Sequence, residues 1–155
     1  MISPEVLRRF PFFGWIDAEN LREIAMISEE LPVEKDTTLF EEGASAQYLY
    51  FLISGSVDLF FSVSEQTHSV QHKEYYTGSI NHGEAFAISA LIAPHIYVAT
   101  ARANVPSVVL RVDAASLRQL LENQPLLGYH MMGQIAHVAM ERLSSTRVQL
   151  AAAWT

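Results

Sequence analysis

The sequence contains no cysteine. This absence excludes disulfide bonds, thiolate-ligated zinc, iron–sulfur clusters held by cysteine and a thiol nucleophile. The chain also lacks an apolar run of the roughly 18–20 residues that a membrane-spanning helix needs, because the run from Ala85 to Ala93 stops at Pro94. The N-terminal residues Met1 to Glu5 lack the basic and apolar regions of a signal peptide. These absences together predict a cytoplasmic protein that does not contact a membrane.

Positive charge is scarce as well. The 155 residues include 17 acidic and 10 basic side chains, for a net charge of −7, and the only lysines are Lys35 and Lys73. Binding to nucleic acid requires cations clustered on one surface. The arginines of this chain are scattered along the sequence, so we expect no direct nucleic-acid contact from this segment.

The middle of the chain has the pattern of many short β-strands between two helical regions. Asp17 is a plausible N-cap for an N-terminal helix that ends near Glu29-Glu30. From Leu31 the hydrophobic period becomes two, and turn signals, Thr77-Gly78 among them, separate the strands. The predicted strands are Leu31–Val33, Thr37–Phe40, Gln47–Ser54, Ser56–Val63, Ser69–Tyr76, Val98–Ala103 and Val105–Val112. This pattern is typical of a mainly β sandwich or jelly roll with flanking helices.

A long helix is predicted at the C-terminal end, from about Leu126 to about Leu150. It carries two apolar stripes, Leu127, Met131, Ile135 and Val138 on one side and Met132, Ala136, Ala139 and Leu143 on the other. One stripe is enough for a helix that covers a single core. The second stripe therefore predicts a second partner, a twin helix in a homodimer. We expect three units: helices in residues 1–30, strands in 31–122 and the long helix in 123–155.

The segment that begins at Gly83-Glu84 is the candidate ligand site. Gly83 allows the backbone to adopt conformations that bring it close to a ligand. A short apolar helix is expected to follow and end near Leu91, and its first turn would present free N–H groups and the positive end of its dipole to an anion. The Glu84 carboxylate can accept bonds from hydroxyl groups, or it can simply cap the helix as a first-turn acid.

Two blocks of the sequence carry a resemblance to a known family. The first is Thr38 to Val57, with Gly43, the strand around Tyr48 to Leu52, and Gly55-Ser56-Val57; the second is Gly83 to Ala103. They resemble the cyclic nucleotide-binding domain of the catabolite activator (CRP/FNR-like) regulators, which is the sensor domain of transcription regulators. The resemblance implies an eight-stranded β jelly roll (double-stranded β-helix), a phosphate-binding cassette and a long C-terminal dimerisation helix.

The resemblance also assigns roles to residues of the cassette. Glu84 matches the acceptor for a ribose hydroxyl, and Gly83, Ala85 and Phe86 match the backbone cradle for the cyclic phosphate. The family places an arginine and then a serine or threonine at the phosphate, and these positions fall here on Tyr97 and Val98 (on Ile96 and Tyr97 if the loop is shifted by one). The chain therefore departs from the family at its main positive charge.

Arg102 is a poor substitute for the missing arginine. It is five residues after Tyr97, which puts it on the opposite face of a regular strand, and from Ile96 it would be roughly 20 Å away at ~3.3 Å per residue. A charge-assisted bond to arginine contributes about 1.5–3 kcal/mol, so we expect cyclic AMP or GMP to bind about 10–100-fold more weakly than in a relative with the arginine. A guanidinium that reached the pocket from elsewhere would contradict this interpretation.

Three functions are consistent with these observations. The first is a sensor domain for an altered, nucleotide-like small effector, with Tyr97 stacking on the effector or donating its hydroxyl. The second is a ligand-free dimerisation scaffold whose pocket is filled by Tyr97 and its apolar neighbours. The third is a cupin-type metalloenzyme, but the sequence has no His-x-His pair and His82-Gly83-Glu84 is only a superficial likeness. We expect no catalytic residue, no bound metal and no cofactor.

Overall fold

A computed structural model describes residues 1–64 and 72–155 of the chain. The strands are β1 (Ser28–Val33), β2 (Thr38–Phe40), β3 (Tyr48–Ser54), β4 (Val57–Ser64), β5 (His72–Ile80), β6 (Ala85–Phe86), β7 (Thr100–Ala103) and β8 (Ser107–Asp113). The α-helices are α1 (Pro4–Arg8), α2 (Ala18–Met26), α3 (Ala114–Asn123) and α4 (Pro125–Ala153), and 3₁₀ helices cover Pro11–Phe13 and Ile88–Leu91. The predicted mainly β fold with flanking helices is confirmed.

The eight described strands form two antiparallel sheets of four. Their orders are β1-β8-β3-β6 and β2-β7-β4-β5, so strands distant in sequence are neighbours, as in a jelly roll. β3 is buried on both faces, as its continuous apolar sequence predicts. Phe51 on one face packs against the rings of the Phe10–Phe13 corner, whereas Tyr50 on the other face stacks on Phe86 between the sheets.

The N-terminal helices cover the outer face of β3. The predicted N-cap is confirmed, since the Asp17 carboxylate accepts the N–H of Asn20 at 3.3 Å. The predicted end of the helix near Glu29-Glu30 is wrong, because α2 stops at Met26 and the chain turns into β1. The Ser28 hydroxyl donates to the carbonyl of Ile24 at 2.6 Å, and Glu29 pairs across the sheet with Arg111 of β8.

The predicted turn at Thr77-Gly78 is also wrong, because β5 continues through these residues to Ile80. Leu59 pairs with Gly78 and Phe60 pairs with Tyr76, so Thr77 is the extra residue of a β-bulge. Gly78 has φ of +144°, a value that glycine adopts more easily than other residues. The predicted turn at Glu65 and the predicted start of the next strand at Ser69 lie outside the described residues.

The helix α4 is three residues longer than predicted at its C-terminal end and begins one residue earlier. Its first apolar stripe is buried at Leu127, Met131 and Ile135. Met132 and Leu143 of the second stripe are left 37% and 50% exposed by the described part of the chain, whereas Ala139 lines a cavity next to the jelly roll. Among the described residues no helix is both long enough and apolar enough to cross a bilayer.

Candidate functional site

The turn that holds Gly83 and Glu84 is closed by its own hydrogen bonds. The Glu84 carboxylate accepts the backbone N–H of Asn81 at 3.0 Å, and the N–H of Glu84 donates to the carbonyl of Asn81 at 3.1 Å. Gly83 has φ of +84°, and its N–H donates to the carbonyl of Leu52 at 2.8 Å. The N–H groups of Gly83 and Glu84 are therefore engaged within the protein, and the Glu84 carboxylate stabilises this turn.

The short helix begins later than the sequence suggests. Ala85 and Phe86, expected in its first turn, form β6 and pair with Phe51 and Tyr50 of β3. Both are buried, at 4% and 0% exposure. Ala87 then has φ of +62°, and the 3₁₀ helix starts at Ile88. The expected helix directly after Gly83-Glu84 is wrong because the apolar side chains of Ala85 and Phe86 are buried by continuing the sheet.

Tyr97, which the resemblance matches to the family's arginine position, is anchored in the core. Its ring stacks on Phe40 with 4.1 Å between the ring centroids, and 4% of the residue is exposed. Its hydroxyl accepts the N–H of Tyr48 at 3.1 Å and donates to the carbonyl of Tyr48 at 3.2 Å. Because its single proton is used in that bond, the hydroxyl has none left for a ligand. Val98 is 72% exposed.

A cavity of about 350 Å³ lies between the jelly roll and α4. Tyr97 and Val98 line it together with residues from β2, β4, β5, the 3₁₀ helix and α4. The other lining residues are Phe40, Leu59, Phe61, Thr77, Ala87, Ile88, Ser89, Ala99, Ala139, Arg142 and Thr146. Tyr97 thus forms a wall of this cavity without filling it.

The cavity contains a guanidinium that the sequence interpretation did not anticipate. Arg142 of α4 lines the cavity and donates to the carbonyl of Ala85 in β6. Burial lowers the pKa of Arg142, while the charges of Glu84 and Glu141 act in the opposite direction. The expectation of a pocket without a cation is therefore wrong, and weak binding of cyclic nucleotides no longer follows from a missing positive charge alone. Arg102 stays outside as expected, paired with Glu74 at 3.0 Å.

A second, more polar groove of about 580 Å³ adjoins the cavity. Glu84 and Glu141 line the groove, as do Ser79 and Asn81. The two spaces share four wall residues: Leu59, Thr77, Arg142 and Thr146. Arg142 therefore stands between an apolar cavity and a groove that contains two carboxylates. Gly83, Ala85 and Phe86 line neither space.

The helical period of the sequence places Arg142 on the face of α4 that packs on the jelly roll. It follows Ile135 by seven residues and Val138 by four, so it continues the stripe of α4 that faces the jelly roll. Arg142 is missed when only arginines close to the cassette in sequence are considered. A polar residue on a buried helical stripe is the signal that would have pointed to it.

Most of the chain matches a known family of domains. The family model described as "Cyclic nucleotide-binding domain" matches residues 30–124. The chain belongs to this family. A protein from Geobacter metallireducens described as cyclic nucleotide-binding is 35% identical to this family member, with a TM-score of 0.79. That alignment covers 92% of this chain and 99% of the Geobacter chain.

Other solved structures extend the comparison to transcription regulators. The sensor domain of the transcriptional regulator DNR from Pseudomonas aeruginosa is 26% identical, with a TM-score of 0.63 and coverage of 92% of this chain and 91% of that one. The Thermus thermophilus catabolite activator protein shares the fold at 20% identity and a TM-score of 0.67, with 92% of this chain and 62% of that chain covered. A sequence search of the curated proteins found no match.

The described residues contain no group of three or more His, Cys, Asp or Glu side chains that could hold a metal ion. His130 lies 5.5 Å from the ring of Trp15, and His137 pairs with Glu141 at 3.0 Å. The family and the fold are regulatory rather than enzymatic.

Proposed function

We propose that the chain is a cytoplasmic sensor domain whose small-molecule effector occupies the cavity between the jelly roll and α4. The observation that carries this proposal is the cavity itself: about 350 Å³ remains although Tyr97 is packed at the family's arginine position. This volume is within the range of roughly 300–1,000 Å³ that is usual for small-molecule sites. The walls come from the β2-β7-β4-β5 sheet, the 3₁₀ helix and α4, so an occupant would contact α4 directly.

Cyclic AMP and cyclic GMP are poor candidates for this effector. Arg142 brings a positive charge from α4, but the cassette itself has Tyr97 in place of the phosphate-binding arginine, and the N–H groups of Gly83 and Glu84 are already bonded to Leu52 and Asn81. The Glu84 carboxylate accepts the N–H of Asn81 through Oε1 and lines the polar groove, not the cavity. An altered, nucleotide-like or other small effector is more consistent with these contacts than the family's usual ligands.

The output of the domain is proposed to pass through α4 in a homodimer. The exposed apolar stripe of α4 gives a twin helix a surface to pack on, and Arg142 on the same helix lines the cavity. The likeness to the DNR sensor domain supports a role as the effector half of a transcription regulator. Any contact with DNA is assigned to another segment or to a partner.

Native mass spectrometry of the freshly purified protein, followed by a thermal-shift screen of metabolites, tests the proposal. A ligand present at 100 times its dissociation constant adds about 2.7 kcal/mol to stability. We expect a bound small molecule, or a shift in Tm, in the wild type that is lost in Ala99→Phe, which fills the cavity from a residue outside α4. Circular dichroism of Ala99→Phe and of the smaller Ala99→Leu controls for folding. A bare wild-type mass with no Tm shift across the screen contradicts the proposal.

A ligand-free dimerisation scaffold is the second candidate. The observation that favours it is that the Tyr97 hydroxyl is satisfied by Tyr48 with no ligand present. If the domain is a ligand-free scaffold, the wild type and Ala99→Phe should have the same dimer affinity. No ligand should then bind the wild type more tightly than Ala99→Phe.

A further inference from the structure

We propose that Arg142 is the anion anchor of the cavity and that the effector is a small carboxylic acid with an apolar, ring-containing body. This inference rests on the proposed sensor function, because it names the ligand class of the same cavity. It assigns the positive charge to α4, the helix of the proposed output, instead of to the cassette.

The first support is that the charge of Arg142 has no close partner within the described part of the chain. The ion pairs among those residues involve Arg8, Arg102, Arg111 and His137, and none of them involves Arg142. Of its five N–H donors, the described contacts account for one bond, to the neutral carbonyl of Ala85. Partly buried charges are usually paired or neutralised. A bound anion would therefore supply the negative partner of Arg142.

The second support is the chemistry of the cavity wall. Arg142 is the one charged side chain among its described lining residues, and the polar groups beside it are the hydroxyls of Thr77, Ser89 and Thr146. The rest of the wall is aliphatic and aromatic, with the stacked Phe40 and Tyr97 rings at one side. One cation in an apolar enclosure suits a ligand with one negative charge and few other polar atoms.

The same wall disfavours a nucleotide. The polar edge of a base would need donors and acceptors that an aliphatic wall does not offer, and unsatisfied buried polar groups are costly. The two carboxylates near Arg142, Glu84 and Glu141, line the adjoining groove and not the cavity. A carboxylate bound to Arg142 inside the cavity would not meet these acids as wall residues. Because a carboxylate is planar, its two oxygens can also accept a bidentate pair of hydrogen bonds from the Arg142 guanidinium.

Calorimetric titration of 2-naphthoate and 4-phenylbutyrate, with neutral 2-naphthamide as the matched ligand, tests the inference. The full chain is titrated as wild type, Arg142→Gln, Arg142→Lys, Ala99→Phe and Arg22→Gln. Arg22→Gln removes one positive charge at an exposed position of α2 and is the charge-matched control. We expect the acids to bind the wild type and Arg22→Gln equally, and to bind Arg142→Gln about 10–100-fold more weakly. Arg142→Lys should recover part of the loss.

The outcomes separate this inference from the proposed function. If 2-naphthamide binds as well as 2-naphthoate, or if Arg142→Gln binds the acids as the wild type does while Ala99→Phe abolishes binding, the anchor is refuted and the cavity remains an effector site. If Ala99→Phe leaves acid binding unchanged, the acids do not occupy the cavity and the inference fails. Absence of binding by both acids, or tighter binding of cyclic AMP than of either acid, also overturns it.

Discussion

Tyr50 and Tyr97 share the space between the sheets, and both phenols are held in their neutral forms. Burial raises the pKa of Tyr97, and burial together with the nearby Tyr97 raises the pKa of Tyr50 to about 12, while Arg111 acts against that rise. The unfolded chain ionises tyrosine near pH 10. The two phenols therefore make the stability of the fold dependent on pH in the alkaline range.

The first prediction concerns the alkaline stability of the fold. The free energy of unfolding should be unaffected by Tyr50 below about pH 10 and should fall between about pH 10 and 12, because the unfolded state then loses the proton that the folded state retains. At about 1.36 kcal/mol per pKa unit the loss is roughly 2–3 kcal/mol. Urea unfolding at several pH values measures it. The fall should be smaller in Tyr50→Phe, and equal slopes in the two proteins would show that Tyr50 ionises normally in the fold.

The second prediction concerns the hydroxyl of Tyr97. Tyr97→Phe keeps the ring on Phe40 but removes both hydrogen bonds to the backbone of Tyr48. A lost bond that leaves a partly buried donor unsatisfied costs about 1–2 kcal/mol. Tyr129→Phe is the control, because Tyr129 is 75% exposed. Chemical denaturation should show lower stability for the first variant alone; equal stabilities would mean that the Tyr97 hydroxyl bonds contribute nothing net.

At the scale of single elements, the turn between β3 and β4 depends on Gly55. Gly55 has φ of +94°, and an added Cβ would overlap the hydroxyl of Ser107 and come within 2.7 Å of its Cα. The Ser107 hydroxyl in turn accepts the N–H of Ser56 at 3.1 Å. Gly43 has a similar φ of +89°, but nothing lies within 4 Å of its added Cβ. An alanine at Gly43 therefore tests the cost of backbone strain alone, whereas an alanine at Gly55 tests strain and steric overlap together.

The third prediction uses this pair. Gly43→Ala should cost only the left-handed backbone strain, about 1–2 kcal/mol. Gly55→Ala should cost that strain and a further 1–3 kcal/mol or so of overpacking, since β8 must move away from the turn. Differential scanning calorimetry of the wild type and the two variants measures both losses of stability. Equal losses in the two variants would show that Ser107 moves aside without cost.

The sequence best predicted the elements whose hydrophobic periodicity agrees with the burial of their side chains in the fold. β3, with both faces apolar, and α4, with one stripe facing the core, are in this class. The region from Gly83 to Leu91 was misread because apolar residues without a clear period fit a short helix as well as a strand. Ala85 and Phe86 became a strand only because β3 offered an unpaired edge, which is a property of the assembled sheet.

The candidate site was less predictable than the fold. No sequence pattern predicts that the Tyr97 hydroxyl bonds to Tyr48, 49 residues away. Arg142 is 45 positions beyond Tyr97 and reaches the cavity only because α4 returns across the jelly roll. Contacts of this kind depend on tertiary packing. The roles of Gly83, Glu84, Ala85, Phe86, Tyr97 and Val98 in binding remain predictions.

At the scale of the whole molecule, α4 connects the cavity to the surface of the proposed dimer. Leu143 lies on the exposed stripe and is 50% exposed, while Arg142 beside it in sequence faces the cavity. Adjacent residues on a helix point about 100° apart. A shift of α4 that accommodates a ligand at Arg142 would therefore also move the surface around Leu143.

The fourth prediction concerns assembly. The wild type should be a dimer at micromolar concentration in light scattering, and Leu143→Glu should be a monomer, because two carboxylates would be buried against each other in the helix pair. Val148→Glu is the control; Val148 is 67% exposed and lies on the opposite side of α4. A wild-type mass equal to one chain, or a dimer that survives Leu143→Glu, would refute dimerisation through this stripe.

The most direct test of the central claim is a calorimetric titration of cyclic AMP into the wild-type protein. The cavity presents the Tyr97 ring where the family places its arginine, and the charge of Arg142 enters from α4. The dissociation constant should be about 10–100-fold or more weaker than that of a relative with the cassette arginine, measured under the same conditions. A low-micromolar dissociation constant for cyclic AMP would contradict the claim that this site has changed its ligand.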